Sequence, residues 1–422
     1  MSTSRERVRA ARRVAPVAAA GVTSVRHATA YTTDIRFGPR SIVTSAANRC
    51  ALTIALLGIS TLTLAAVLPE DRADVLFHSY DGGGVTVQGP SLLVRKKFAK
   101  NFSASANYYV DRVSSASIDV VTTASPYTEE RTQYSVGMDY LHNRWILNLG
   151  LTKSDENDFV ADTFNIGISQ DFFGDLTTVS LGYTLGQDEV GRRGDPGFSD
   201  TIERQNYSLG ISQILTKDLL LGFSFETITD EGFLNNPYRS VRFVDTGSAV
   251  GFSYEPELYP RTRTSEAAAI RWRYYLPYRA VFHGEYRRYG DSWDISADTF
   301  EIGYSHPLKS GWILDGKVRF YSQKKADFYS DLFPRSQYQN FLARDKELST
   351  FSSSTVHLGI SYDIVRSGWR FVERGSVSFS YDHIEFDYED FRDLTQPAAL
   401  AGEEPLYKFG ANVLQIFVSF WF

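Results

Sequence analysis

The sequence predicts an all-β protein: a transmembrane, antiparallel, up-and-down β-barrel of about 16 strands, with 14 as the alternative count. Three observations predict it: a two-residue hydrophobic period along most of the chain, connections that alternate between short and long, and a final apolar strand that ends on Phe422. Composition agrees. Aromatics make up 14% of the 422 residues, with 25 Tyr and 29 Phe against 2 Met and 1 Cys. That is rich in strand formers and poor in residues that fill helical cores. The 31 glycines are scattered. There is no Pro-rich or Ser-rich linker, no Gly-x-Gly-x-x-Gly or P-loop spacing, and no long 3.6-residue period after residue 70.

Residues 1–48 read as a basic leader, or as a stretch upstream of the true start codon. Residues 1–50 hold nine Arg and no Lys against Glu6 and Asp34, a net of +7, whereas the whole chain carries -6. The remainder is therefore markedly acidic, which argues against a nucleic-acid partner. Residues 49–66 read as a signal peptide: Arg49, the apolar run "ALTIALLGISTLTLAAVL", and small residues Ala65 and Ala66 within its end. An uncleaved membrane anchor is the alternative reading of that run. Cys50 precedes the apolar core, so cleavage near Ala66 removes it, leaving no disulfide and no thiolate metal site.

The barrel is expected over residues 67–422. In "YSVGMDY", Tyr134, Val136, Met138 and Tyr140 share one face, opposite Ser135, Gly137 and Asp139. "WILNLGLT", "FNIGIS", "VSLGYTL", "YSLGIS", "LLLGFSFE", "FEIGYS", "VHLGISYD" and "VSFSYD" repeat the scheme. Alternation at this period places one apolar and one polar face on each strand. A soluble sandwich shares that pattern, so three further features decide. The segments run about 9–12 residues, the length of a tilted membrane-crossing strand. The apolar faces are bulky while the polar faces are small, the order required by outward lipid and an inward polar lumen. The links "LHNR", "FFGD", "LTKD", "LPYR", "PLKSG" and "VRSG" are tight, whereas links 113–130, 187–204, 229–265, 323–351 and 385–406 are long and charged. Expected strand centres are residues 76, 92, 107, 136, 149, 166, 181, 209, 223, 270, 284, 301, 316, 358, 379 and 415. The hairpin at Gly82-Gly83-Gly84 is the one whose loss would give 14. A barrel of this size is too wide for wall side chains alone to fill.

The closing strand places Leu414, Ile416, Val418, Phe420 and Phe422 on one face. A barrel closes by pairing its last strand with its first, because an open edge in lipid leaves unsatisfied amides costing several kcal/mol each. A last strand without a polar tail is free to be recognised, so these five residues read as the signal handed to the barrel assembly machinery. Outer-membrane lipid is the other expected partner.

The stretches "LPEDRADVLFHSYDGGGVTVQGPSLLVRKKF" (68–98), "YYVDRVSSASIDVVTTASPYTEER" (108–131), "ISQDFFGDLTTVSLGY" (168–183) and "TDEGFLNNPYRSVRF" (229–243) resemble the bacterial domain-of-unknown-function family 3570. The likeness runs from about Leu68 to Phe422. It implies an outer-membrane barrel and no particular activity.

Alternation across four consecutive strands turns Arg271 and Arg273, then His283, Glu285 and Arg287, then Glu301, then Asp315, Lys317 and Arg319 toward the lumen. This wall of mixed charge reads either as a field that screens small solutes or as a salt-bridge network bracing the barrel. The hydroxyl-rich link after residue 113 reads either as a constriction, with Ser114, Ser115, Ser117 and Asp119 facing the passage, or as a strand extension beyond the membrane. His78, His142, His306 and His383 are expected near strand ends, and His283 and His357 inward. No metal-ligand spacing, no Gly-x-Ser-x-Gly and no cofactor motif occurs. The expected function is a channel for small hydrophilic solutes. The alternatives are a plugged barrel that partners an envelope complex, or an outer-membrane hydrolase using a Ser–His pair. Deleting Phe422, or replacing it with Asp, is expected to lower the amount of folded, heat-modifiable barrel in the outer-membrane fraction; normal yield would contradict the assembly role of the terminal strand.

Overall fold

The computed structural model describes residues 67–115, 127–308, 310–365, 370–396, 398 and 400–422. The leader, the signal-peptide segment with Cys50, and most of the "VRSG" turn lie outside these residues. Sixteen antiparallel strands close into one barrel. In chain order they begin β1 (Arg72–Gly82), β2 (Val85–Ala99), β3 (Phe102–Ser115), β4 (Tyr127–His142), β5 (Trp145–Asp155), β6 (Phe159–Phe172), β7 (Thr177–Gly191), β8 (Ser199–Thr216) and β9 (Leu219–Gly232). A separate two-stranded hairpin follows, β10 (Ser240–Val244) with β11 (Phe252–Pro256). The wall resumes with β12 (Thr262–Tyr275), β13 (Val281–Asp291), β14 (Ser296–Pro307), β15 (Trp312–Gln323), β16 (Phe351–Val365), β17 (Arg374–Arg392) and β18 (Leu406–Trp421).

Closure is made by β1 and β18, from Arg72 opposite Trp421 to Gly82 opposite Ala411. Inside this seam the Ser419 hydroxyl donates to Asp74 at 2.7 Å, and Arg72 reaches the same carboxylate at 2.9 Å. The first hairpin turns on Gly83 and Gly84, with φ of 58° and 76°. Two consecutive positive φ values match the right-handed twist of the flanking strands and favour glycine at both positions.

The outer face carries two aromatic levels. The Tyr108 ring lies 5.2 Å from that of Tyr134, and Tyr183 5.0 Å from Tyr207, toward one end. Toward the other, Phe102 meets Tyr140 at 4.7 Å and Trp312 meets Tyr362 at 4.5 Å. Between them lie exposed Val136, Met138, Ile166, Leu181, Ile211, Phe223, Leu358 and Phe379. Aromatic girdles flanking an apolar band about 25 Å tall are how a barrel meets lipid and water.

The wall strands run 11–19 residues, most of them longer than the expected segments, and several of the long links are correspondingly shorter. β3 continues to Ser115 and pairs Ser114 with Thr128 and Ser115 with Tyr127. β7 and β8 continue past the upper girdle to Gly191 and Ser199. Their outward residues there are polar (Gln205, Glu203), so the apolar alternation stops while backbone pairing goes on. Ser114 is exposed on the outward register shared by Tyr108 and Arg112, and so does not face the passage. Ser114 and Ser115 thus extend the wall; Ser117 and Asp119 lie outside the described residues.

On the girdle side with the long links, three connections pack on one another as a cap: 233–261 with its β10–β11 hairpin, 324–350, and the described part of 393–405. Phe333 pairs with Arg242 and Val244 through backbone bonds of 2.9 Å, and Leu258 with Leu342 through bonds of 2.9 and 2.7 Å. Tyr259, Trp293, Phe328, Tyr329 and Leu348 form a buried apolar cluster beneath. A second cluster, Tyr321, Phe351, Tyr388 and Phe391, lines the upper inner wall and packs against Phe386, Tyr407 and Phe409.

The cap is pinned by Arg242, which has no exposed surface. It donates to both carboxylate oxygens of Glu404 at 2.7 and 2.9 Å, and also to the carboxylate of Asp331. Arg344 reaches Asp331 at 3.0 Å and gives its backbone N–H to Glu257 at 2.7 Å. Replacing Arg242 with Ala would leave the buried Glu404 carboxylate without its cation and Asp331 with Arg344 alone, at a cost of about 3–5 kcal/mol. The expected outcome is faster hydrogen exchange and proteolysis of 233–261 and 324–350 with the barrel strands still protected.

Burial of Glu257, with the Asp345 carboxylate near it and Arg239 only partly compensating, pushes its carboxyl up to about 7. The folded cap therefore holds that proton more tightly than the unfolded chain. The stability this group contributes falls as pH rises from the ordinary carboxylate range through about 7, then levels off. Cap protection, corrected for intrinsic exchange, is expected to be greater at about pH 5.5 than at about pH 7.5, and Glu257→Gln should remove the difference.

Candidate functional site

Alternation along β12 to β17 decides which side chains meet the lumen. Ile270 and Tyr274 are exposed on the outer face, so Arg271 and Arg273 turn inward; Phe282 and Tyr286 do the same for His283, Glu285 and Arg287. Phe300 and Tyr304 on β14, and Leu314 and Phe320 on β15, likewise place Glu301, Asp315, Lys317 and Arg319 inside. Antiparallel register then sets Arg271, Glu285, Glu301 and Arg319 side by side in one row across four strands. The next row toward the lower girdle holds Arg273, His283, Gly303, Lys317, His357 and Asp382.

These charges pair across strands. Arg271 bonds Glu285, Lys317 donates to Glu301 at 3.1 Å, and Arg287 lies 3.8 Å from Glu226 on β9. Asp315 accepts from Ser305 and lies 3.5 Å from His357 and 3.9 Å from His283. His357 bonds Asp382 through its other ring nitrogen at 2.8 Å. Gly303 makes room for this arrangement: a Cβ there would sit 2.3 Å from the His283 ring. The wall nonetheless stays wet, with 30% of the Arg271 side chain and 20% of Glu285 and Asp315 accessible.

A second polar cluster was not expected. His78 lies within β1 on the lumen side, buried, rather than at an interface. Its Nε2 lies 2.7 Å from the Asp111 carboxylate and 3.2 Å from the Tyr109 hydroxyl. Arg131 connects this pair to Ser154 at 3.0 Å and to Glu156 at 3.7 Å. Its sequence signal was the inward phase of β1, where His78 alternates with outward Phe77. His142 and His306 sit beside girdle aromatics, and His383 faces outward near Glu385. Among the described residues no group of three or more His, Cys, Asp or Glu is arranged to hold a metal ion.

The family described as "Protein of unknown function (DUF3570)" matches residues 115–208 and 193–381, more than half of the chain. The chain belongs to this family. A closed 16-stranded barrel with two aromatic girdles around an apolar band places it in the bacterial outer membrane. No curated protein matches the sequence. Among solved structures, a bacterial polysaccharide outer-membrane secretin is 8% identical, with a TM-score of 0.46, over 84% of this chain and 100% of that one. OmpT from the outer membrane of Vibrio cholerae is 10% identical at a TM-score of 0.41, over 85% and 100%. The siderophore receptor PirA of Pseudomonas aeruginosa is 11% identical at 0.40, over 84% of this chain and 63% of that one. These likenesses are of general barrel form.

Proposed function

We propose that this DUF3570 member is a channel for small hydrophilic solutes, with its outer mouth narrowed by the packed cap. One observation carries the reading: a water-exposed wall of paired opposite charges at the level of the lipid band. Charged rows in a lumen screen solutes by sign and size, and barrels of 16–18 strands leave room for an aqueous path. The terminal strand, Leu414 to Phe422, is the segment proposed to be handed to the barrel assembly machinery.

The cap favours a second reading, a closed barrel that serves as a structural partner, because Arg242 and its carboxylates join three connections over the mouth. Reconstitution in planar bilayers separates the two. Under the channel reading the full-length protein gives discrete conductance steps, and Arg242→Ala gives larger or longer openings. Silence from both proteins, with each migrating as a folded heat-modifiable barrel, would overturn it in favour of the structural reading.

A further inference from the structure

We propose that His283 and His357 set the net charge of the lumen wall, and with it the sign of the solute that the barrel favours. The inference rests on the channel reading and adds the selectivity element to it.

Charge balance motivates the assignment. Three ion pairs of this wall, Arg271–Glu285, Lys317–Glu301 and Arg287–Glu226, cancel locally. In the row of the two rings and the rows on either side of it, the remaining charged residues are Arg273 and Arg319 against Asp315 and Asp382, which also cancel. With neutral imidazoles the wall therefore sums to zero. Imidazole is the side chain whose charge changes between about pH 5 and about pH 8. Protonating both rings leaves two net positive charges on a wall that otherwise has none.

The geometry ties the two rings together. They approach opposite oxygens of one carboxylate, Asp315, from β13 on one side and β16 on the other. His357 bridges Asp315 to Asp382 of β17, with Lys317 of β15 opposite it in register. His283 faces Arg273 of β12, Gly303 and Ser305 of β14, and Asp315 and Lys317 of β15. Each imidazole thus has a carboxylate to accept its proton charge and an ammonium or guanidinium to oppose it. The added charge is held at one level of the lumen, 12–15% of each side chain being accessible. A passing anion would meet it there; a passing cation would be repelled.

The test is the reversal potential of the full chain in planar bilayers under a KCl gradient. On going from about pH 7.5 to about pH 5.5, the chloride-to-potassium permeability ratio of the wild type is expected to rise about twofold or more. The double variant His283→Gln/His357→Gln should lose most of that rise, and each single variant about half. His78, on β1 and outside this wall, is kept in every variant. A wild-type ratio that ignores pH, or a double variant that follows the wild type, would overturn the assignment. If no protein conducts, the channel reading fails by itself. The wall charge is then read from the chloride NMR line width of the detergent-solubilised barrel, which needs access to the lumen but no passage through it. Broadening that grows on acidification in the wild type and not in the double variant supports the inference; equal broadening in both overturns it.

Discussion

Every backbone amide that enters lipid must find a partner within the protein. The rest of the structure depends on that requirement. It makes closure of β1 on β18 obligatory, fixes antiparallel neighbours, and so determines which side chains stand next to one another. The row Arg271, Glu285, Glu301, Arg319 is a product of register, because no two of these residues are near in sequence beyond a single hairpin. Asp74 and Ser419 show the same dependence from inside the seam, where a buried carboxylate is satisfied by a hydroxyl almost the whole barrel away along the chain.

Much of this was legible in the sequence, and for a specific reason. Within the lipid band the two faces of a strand meet different solvents, so residues such as Val377, Phe379 and Tyr381 alternate cleanly with Ser376, Ser378 and Ser380. Sixteen strands and the inward placement of the charged wall follow from that contrast. Above the band the outward face meets water and the inward face meets the cap. On β17 the alternation then inverts: Ile384, Phe386 and Tyr388 turn inward, while His383, Glu385 and Asp387 turn outward. Read as continued membrane strand, this stretch contradicts itself; read as loop, it hides several ladder pairs. The inversion itself marks the boundary of the lipid. The cap was not legible, because Arg242, Asp331 and Glu404 are joined by tertiary packing alone and share no spacing.

The two halves of the lumen differ in chemistry. The upper half is lined by aromatics and seats the cap, where the buried Arg242 is matched by two carboxylates. The lower half keeps water against paired charges, where each pair is screened and contributes little to stability. Apolar packing is concentrated at one end of the lumen and paired, accessible charge at the other.

The seam between Arg72 and Trp421 has a consequence in time. These residues are partners in the finished barrel, yet one is among the first of the barrel to be made and the other among the last. Contacts of such sequence separation form slowly, since the loop between them must be closed before they contribute. Without that seam, β1 and β18 would each be an unpaired edge of an open sheet. Only when this seam forms are the facing amides of β1 and β18 satisfied, so the ring becomes complete for lipid at a single step.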